Sequence, residues 1–208
     1  MTDTGDQAAE LARRLRKRGI SDERVLAAIA RVPRALFVGE REARAAYCDA
    51  ALPIACGQTI SQPFVVGYMT EKLGVESGHD VLEIGTGSGY QAAILAGLCR
   101  HVYTVERHEE LHNEAQARLE ALGIDNITAV AGDGTKGWPE PRQFDRIIVT
   151  AAARKIPDAL IGQLKQGGRM ILPLKGRWSG QRLVLVEKTA DGIAQQDLLP
   201  VRFVPLVS

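Results

Sequence analysis

Three stretches of glycine and acidic residues are spaced as in a nucleoside-binding site. Residues 83–89 read EIGTGSG, with a glycine at every second position from Gly85. Glycine permits a tight turn and a close approach of backbone N–H groups to a ligand. Glu106 follows about 20 residues later, where a carboxylate can accept hydrogen bonds from both hydroxyls of a ribose. Asp133, between two glycines, is placed to reach an adenine amino group.

The glycine spacing distinguishes between two classes of cofactor. A dinucleotide fingerprint, GxGxxG, would place its third glycine at position 90. That position is Tyr90, and the third glycine comes one place early, at Gly89. This difference argues against NAD and against a nicotinamide oxidoreductase.

Short β-branched runs alternate with helical stretches from residue 80 onward. Such alternation specifies parallel βαβ units with right-handed crossovers, in an open sheet covered on both faces. We therefore predict an α/β fold with a doubly wound, mostly parallel seven-stranded sheet and an antiparallel addition at one edge. The predicted strands are 80–84, 101–106, 127–131, 144–149, 169–173, 182–188 and 193–199, and the predicted helices are 90–98, 109–122 and 157–164.

The N-terminal part of the chain lacks this alternation. Apolar residues recur at helical spacing over 7–18 and again before Pro33, which predicts two N-terminal helices. A third helix is predicted over 63–73, because proline suits a first helical turn and Gly74 follows as a stop. The stretch 47–61 shows no period and is expected to be an ordered, functional loop.

The length of 208 residues suits a single domain with one core. We expect helices and a substrate-side loop in 1–79, a cofactor-binding core in 80–173 and antiparallel strands in 174–208. The 26 basic residues balance 25 acidic ones, so no overall field would attract nucleic acid or an anionic membrane. No apolar stretch approaches the roughly 20 residues that span a bilayer.

The N-terminus and the cysteines indicate a cytoplasmic protein. Residues 1–7 are polar, which argues against a secretory signal. Cys48, Cys56 and Cys99 are odd in number and lack CxxC spacing, so neither a disulfide framework nor a thiolate metal site is expected. Residues 108–112 match the zinc motif HExxH, but they open a polar helix and a third ligand is missing. We therefore expect no metal.

Motifs outside the glycine turn narrow the family. Residues 47–73 read YCDAALPIACGQTISQPFVVGYMTEKL, and GDGTKGWPE, FDRIIVTAAA, IPDALIGQL, GGRMILP and VRFVPL follow in order. Together with VLEIGTGSGY, these segments resemble the protein-L-isoaspartate O-methyltransferase family from about Val32 to the C-terminus. GQTIS and GDGxxGWPE are highly specific to that family. The resemblance implies a Rossmann-like fold and S-adenosyl-L-methionine as cofactor.

A protein-repair activity follows from this resemblance. Members of the family transfer a methyl group from S-adenosylmethionine to the carboxylate of an L-isoaspartyl residue in damaged proteins and peptides, and S-adenosyl-L-homocysteine is the other product. The ester closes to a succinimide, whose hydrolysis returns part of the material to normal aspartate. The alternative is a methyltransferase acting on a small molecule, which the match over 47–61 disfavours. We expect a monomer.

Residue roles are also implied by the resemblance. Ser61 is the expected active-site residue, and its hydroxyl would orient the acceptor carboxylate, although it could instead cap the helix beginning near Pro63. No general base is needed, because a carboxylate with a pKa near 4 is already ionised at neutral pH. The expected cofactor contacts are Glu83, Gly85, Thr86, Gly87, Ser88, Gly89, Glu106, Arg107, Gly132, Asp133 and Gly134. The expected substrate contacts are Thr59, Ile60, Ser61, Thr150, Ala151, Ala152, Val204 and Leu206.

Overall fold

Three helices precede the main sheet in the computed structural model, which describes residues 4–176 and 180–207. They are α1 (Thr4–Lys17), α2 (Glu23–Arg31) and α3 (Pro63–Leu73). Their apolar stripes are buried in one cluster, which also contains Val81 and Ile148 of the sheet. The N-terminal helices therefore cover one face of the sheet, and all three lie close to where helical spacing predicts them.

The stretch 47–61 is more ordered than a loop without elements. It contains a short antiparallel pair, β1 (Leu52–Pro53) and β2 (Thr59–Ile60), joined through a turn of 3₁₀ helix at Ala55–Gly57. Cys56 in this turn has a φ of 55°, in the left-handed region. The absence of a period over a few residues had concealed this hairpin, because two-residue strands are too short to show alternation.

Seven strands form the main sheet. They are β3 (Asp80–Ile84), β4 (His101–Glu106), β5 (Ile127–Ala131), β6 (Phe144–Val149), β7 (Leu164–Lys175), β8 (Gln181–Thr189) and β9 (Gly192–Val201). Their order is β5-β4-β3-β6-β7-β8-β9, with parallel pairing from β5 to β7 and antiparallel pairing for β8 and β9. The predicted fold class is confirmed.

Helices α4 (Tyr90–Ala96), α5 (Glu109–Ala121) and α6 (Asp158–Gln163) connect the parallel strands. Successive residues of β3 bury their side chains on opposite faces, with Val81 in the cluster beneath the N-terminal helices and Leu82 in the cluster on the other face. All five residues of β3 are buried, as expected for a central parallel strand. The strand order reverses between β3 and β6, which opens a crevice at their carboxyl ends.

Strand β7 differs most from its prediction. It begins at Leu164 and ends at Lys175, whereas periodicity indicated only residues 169–173. Its ends pair with Phe144 on one neighbour and Gln181 on the other, so tertiary pairing extends the strand through a glycine pair that by itself favours a turn. Among the helices in the described parts of the chain, none combines the length and apolarity that crossing a bilayer requires.

Candidate active site

The glycine turn after β3 requires glycine at its odd positions. Gly85, Gly87 and Gly89 have φ values of 95°, 54° and 90°, which residues with a Cβ rarely adopt. At Gly85 a Cβ would also collide with the hydroxyl of Thr150, which donates a hydrogen bond of 2.6 Å to the Gly85 carbonyl. The turn is therefore fixed against the end of β6, and no side chain of Gly85 or Gly87 fills the crevice.

Glu106 joins the end of β4 to this turn. Its Oε2 accepts a hydrogen bond from the Gly87 N–H at 2.8 Å, and its Oε1 accepts one from the His108 N–H at 2.9 Å. The side chain lines the cavity although Glu106 is only 5% exposed. Since a carboxylate oxygen has two lone pairs, each oxygen keeps one for a further donor. Arg107 lines the cavity beside it.

Glu83 lies behind the cavity wall. Its Oε2 accepts a hydrogen bond from the Thr104 hydroxyl at 2.6 Å, and the Thr104 oxygen lies 2.6 Å from the Thr86 hydroxyl. Because the Thr104 hydroxyl donates its hydrogen bond to Glu83, the Thr86 hydroxyl must be the donor in the hydrogen bond between the two threonines. Complete burial raises the pKa of Glu83 to about 8. Glu83 itself does not line the cavity, and it supports the turn through Thr86, which does.

The third strand end contributes Gly134 rather than the acid beside it. Asp133 Oδ1 accepts hydrogen bonds from the Thr135 N–H at 2.9 Å and the Thr135 hydroxyl at 2.6 Å. The bond from that hydroxyl, more than any other contact, lowers the pKa of Asp133. Gly134 lines the cavity, and a Cβ there would collide with Ile84. Asp133 therefore stands next to the cavity as an ionised group already bonded to its own turn.

Ser61 also lines the cavity, with Thr59 and Ile60 of β2. It does not cap α3: the N-cap residue is Gln62, which makes no side-chain cap hydrogen bond, and Asp49 accepts the Phe64 N–H at 2.8 Å instead. Across residues 4–176 and 180–207, the Ser61 hydroxyl has no hydrogen-bond partner. The capping alternative is therefore wrong, and the hydroxyl is free to act in the cavity.

The C-terminal segment closes the cavity from a third side. Ala152 donates its N–H to the Val204 carbonyl at 2.8 Å, and Leu206 donates to the Ala152 carbonyl at 2.8 Å. This short parallel bridge brings Val204 and Leu206 into the lining beside Thr150 and Ala151. Ala152 itself holds the segment in place and does not line the cavity.

The structure brings together most of the expected site residues. Those that line the cavity are Thr59, Ile60, Ser61, Gly85, Thr86, Gly87, Ser88, Glu106, Arg107, Gly134, Thr150, Ala151, Val204 and Leu206. Five expected residues do not line it, namely Glu83, Gly89, Gly132, Asp133 and Ala152. Four of the five adjoin a lining residue along the chain, and Gly132 lies two positions before Gly134.

Comparison with known proteins decides the family. Residues 6–208 match the family model described as protein-L-isoaspartate(D-aspartate) O-methyltransferase. The chain belongs to this family. The family predicted from the motifs is thereby confirmed, as are the enzyme class and S-adenosylmethionine as its methyl donor.

Relatives of this methyltransferase match it over nearly the full chain. It is 56% identical over 208 residues to the protein-L-isoaspartate O-methyltransferase of Parvibaculum lavamentivorans, covering 99% of this chain and 94% of the relative. It is 59% identical over 195 residues to that of Paramagnetospirillum magneticum, covering 93% of this chain and 91% of the relative. Similarity of this extent disfavours the small-molecule alternative.

Solved structures of the same family share its fold. One protein-L-isoaspartate O-methyltransferase structure has a TM-score of 0.88 at 31% identity, covering 96% of this chain, which spans 65% of that longer chain. A second, a beta-aspartate methyltransferase from Plasmodium falciparum in complex with S-adenosyl-L-homocysteine, has a TM-score of 0.83 at 26% identity. It covers 96% of this chain and 98% of the other.

Sequence reasoning missed a buried cation of the methyltransferase, Arg34. The residue is 0% exposed. It donates from Nε to the Ala46 carbonyl at 2.8 Å and from Nη2 to the Ser61 carbonyl at 2.9 Å. Its guanidinium lies 4.9 Å from the centroid of the Tyr90 ring, and burial lowers the pKa of Arg34. The signal available was an arginine inside the apolar run before Phe37.

Further lining residues were not among the expected contacts, although Gly57, Gln58, Tyr90 and His108 lie within the motifs singled out in the sequence. They are Gly57, Gln58, Val66, Ile84, Tyr90, Gln91, Val105, His108, Pro205 and Val207. His108 belongs to the HExxH match, and no group of three or more metal-ligating side chains occurs in the described part of the chain. The Cys56 thiol donates a hydrogen bond to the Glu110 carboxylate at 3.4 Å. Partial burial and this carboxylate raise the pKa of Cys56, which disfavours a nucleophilic thiolate.

Proposed function

We propose that this methyltransferase esterifies the free carboxylate of L-isoaspartyl residues in damaged proteins and peptides, with the methyl donor against the glycine turn and the acceptor beside Ser61. One observation carries the proposal. A single cavity is lined both by residues 85–88 with Glu106 and by residues 59–61. Holding two reactants in one such space supplies the proximity and orientation that a transfer reaction needs.

The donor side of the cavity fits S-adenosylmethionine. When bound, this cofactor supplies an electrophilic methyl group on a sulfonium centre. Glu106 offers one free lone pair on each oxygen, a pattern suited to two neighbouring ribose hydroxyls. Gly85, Gly87 and Gly134 leave room for a ligand against the backbone, and Ile84 and Val105 supply an apolar floor. We assign contact with the adenine amino group to Asp133, which adjoins the lining residue Gly134.

On the acceptor side, the chain has to position an anion rather than activate a neutral nucleophile. An isoaspartyl carboxylate is ionised at neutral pH, so no proton need be removed. We assign to the Ser61 hydroxyl the task of donating a hydrogen bond to this carboxylate. The apolar lining from Ile60, Val66 and Leu206 restricts water near the reacting groups. A partly dry site favours the merging of opposite charges that occurs as methyl transfer proceeds.

The peptide backbone of the substrate is assigned to the cavity wall formed by residues 150–151 and 204–206. These two segments exchange backbone hydrogen bonds through Ala152, so their relative position is fixed before substrate binds. A fixed extended wall suits an extended peptide, because less order must be imposed when the peptide binds. Thr150, Ala151, Val204 and Leu206 are the residues we expect the peptide to contact.

Matched peptides test this function. Labelled S-adenosylmethionine is offered with two peptides that differ only in having L-isoaspartate or L-aspartate at one position. We expect label only in the first peptide, as a base-labile ester. Equal labelling of both peptides, or of neither, would contradict the proposal, and labelling of small carboxylic acids in preference to the peptide would favour the small-molecule alternative.

We also propose that the enzyme acts as a monomer in the cytoplasm. Only three large apolar side chains are exposed in the described regions, namely Leu36, Ile193 and Val207, which offers little apolar surface for a subunit interface. The three cysteines are free, as suits a reducing compartment. Sedimentation of the purified protein and fractionation of cells are the direct tests.

A further inference from the structure

A second cavity adjoins the acceptor site. It is lined by Arg154, Lys175 and Arg202 together with the segment 205–207, and is called here the flanking cavity. Residues 205–207 line both the flanking cavity and the active-site cavity described above. In the segment that follows β6, Ala151 lines the active-site cavity, and Arg154, three residues later, lines the flanking cavity. The two spaces therefore share a wall.

Positive charge dominates the flanking cavity. Arg154, Lys175 and Arg202 are all exposed, and no Asp or Glu is among the described residues that line the cavity. None of the three forms an ion pair within the described ranges of the chain. The neighbouring Lys155 shows the contrast, since its Nζ lies 3.0 Å from the Asp158 carboxylate and it does not line the cavity. Because the whole chain has a net charge of only +1, this excess is local.

The third cavity along the C-terminal segment lacks such an excess. It is lined by Arg18 and Arg202 among others, and Asp49 also lines it. Arg18 pairs with Asp49, and its guanidinium lies 4.1 Å from the centroid of the Phe64 ring, so its charge is already compensated. Of the two cavities along the C-terminal segment, the flanking cavity therefore carries the larger uncompensated positive charge.

We propose that the flanking cavity binds the carboxylate of an acidic residue lying within about three residues of the isoaspartate. The inference rests on the function proposed above and assigns a sequence preference to the same site. Three residues of extended chain span at most about 10 Å, which matches the three steps from Ala151 to Arg154. The planar forks of Arg154 and Arg202 suit a carboxylate, and Lys175 adds a point charge.

A nucleic acid would also be attracted by three cations, but the flanking cavity fits it less well. None of the described lining residues is aromatic, so none of them offers a ring on which a base could stack. A carboxylate on the substrate peptide needs only the charges and hydrogen-bond donors that are present. The peptide is also the ligand whose path already leads to the shared wall.

Isoaspartyl peptides with acidic and neutral neighbours test the proposal. Glutamate or glutamine is placed at each of the three positions on either side of the isoaspartate, and kcat/KM is compared within each pair. We expect glutamate to be favoured about two- to fivefold at one or more positions, as for an exposed ion pair. The preference should lie mainly in KM and should shrink at high salt.

Matched variants locate the effect. Arg154→Gln should reduce the ratio between the glutamate and glutamine peptides, and the double variant Arg154→Glu, Arg202→Glu should reverse it. Lys155→Gln removes an equal charge one residue away but outside the cavity, and should leave the ratio unchanged. Circular dichroism and a thermal melt establish that each variant is folded before its ratio is compared.

Three outcomes would overturn the inference. Equal kcat/KM for the paired peptides, or an equal effect of Arg154→Gln and Lys155→Gln, would show that the cavity recognises no flanking acid. Binding of a labelled oligonucleotide that is abolished by Arg154→Glu, Arg202→Glu, without any peptide preference, would assign the cavity to nucleic acid. If no isoaspartyl peptide is methylated at all, the proposed function itself fails, which is a distinguishable result.

Discussion

The guanidinium of Arg34 is bonded to the backbone of the residue assigned to the active site: its Nη2 donates to the Ser61 carbonyl oxygen over 2.9 Å. The Arg34 side chain is wholly buried, and its Nε also donates a hydrogen bond to the Ala46 carbonyl. A buried cation that satisfies backbone carbonyls on both sides of the hairpin β1–β2 fixes where the Ser61 hydroxyl lies. Arg34 is thus a positioning residue for the acceptor side of the cavity.

Replacement of Arg34 should reveal this role. Arg34→Met leaves buried carbonyls without donors and should destabilise the protein by about 2–4 kcal/mol. Under conditions where the variant stays folded, we expect KM for an isoaspartyl peptide to rise about tenfold. The affinity for S-adenosylhomocysteine, measured by calorimetry, should change much less. Arg34→Lys retains the charge but loses the planar guanidinium with its several donors. Its KM for the peptide should lie between those of the original enzyme and Arg34→Met.

Arg31→Met is the matched control, because Arg31 is an exposed arginine at the end of α2. It should change neither stability nor KM. Parallel losses of peptide and cofactor affinity in Arg34→Met, without recovery in Arg34→Lys, would show a general loss of structure instead of positioning.

Removal of the Ser61 hydroxyl should lower kcat. We expect Ser61→Ala to reduce kcat about 100-fold, the lower end of the range seen when one oriented donor to a reacting group is lost. Cofactor affinity should change little, since the cofactor is assigned to the glycine turn and Glu106 and not to Ser61. Ser21→Ala, which removes a hydroxyl bonded to Glu71, serves as control. Full kcat in Ser61→Ala would remove this serine from the mechanism.

Gly85 should not tolerate a side chain. Its φ of 95° and the closeness of the Thr150 hydroxyl predict that Gly85→Ala destabilises the protein by about 2–4 kcal/mol. The variant should also bind S-adenosylhomocysteine more weakly, because the turn must move. Gly78→Ala is the matched control, since Gly78 has no heavy atom within 4 Å of a Cβ at that position. Urea unfolding and calorimetry measure both effects, and equal behaviour of the two variants would contradict this account of the turn.

The buried carboxyl of Glu83 should make stability depend on pH. Burial raises its pKa from the ordinary 4.5 to about 8 in the folded protein. The folded state therefore keeps a proton that the unfolded chain releases, so the stabilising contribution is complete below about pH 4.5 and is lost as the pH rises to about 8. Glu83→Gln cannot release a proton and should remove this part of the pH dependence.

Urea unfolding of both proteins from about pH 5 to pH 8 measures the difference. We expect the stability of the original protein to fall relative to Glu83→Gln as the pH rises. Profiles that stay parallel across this range would mean that Glu83 is already ionised in the folded protein.

The sequence by itself determined the elements of the sheet and the position of its ligand turn. Strand and helix periods, and the glycines at 85, 87 and 89, depend on residues close together in the chain, so they can be recognised without tertiary structure. The same is true of the motifs that predicted the family. The exceptions are instructive: the hairpin β1–β2 was too short to show a period, and β7 was extended by pairing with its neighbours.

Only the tertiary structure decided which residues meet in the cavity and which support it. Arg34 reaches Ser61 across 27 positions, and Leu206 bonds to Ala152, far away along the chain. Glu83 has the residue type of a ligand contact yet faces Thr104 on the neighbouring strand. Such contacts form because buried carbonyls and hydroxyls require hydrogen-bond partners. Which of these groups are buried together is decided by long-range packing and not by local sequence.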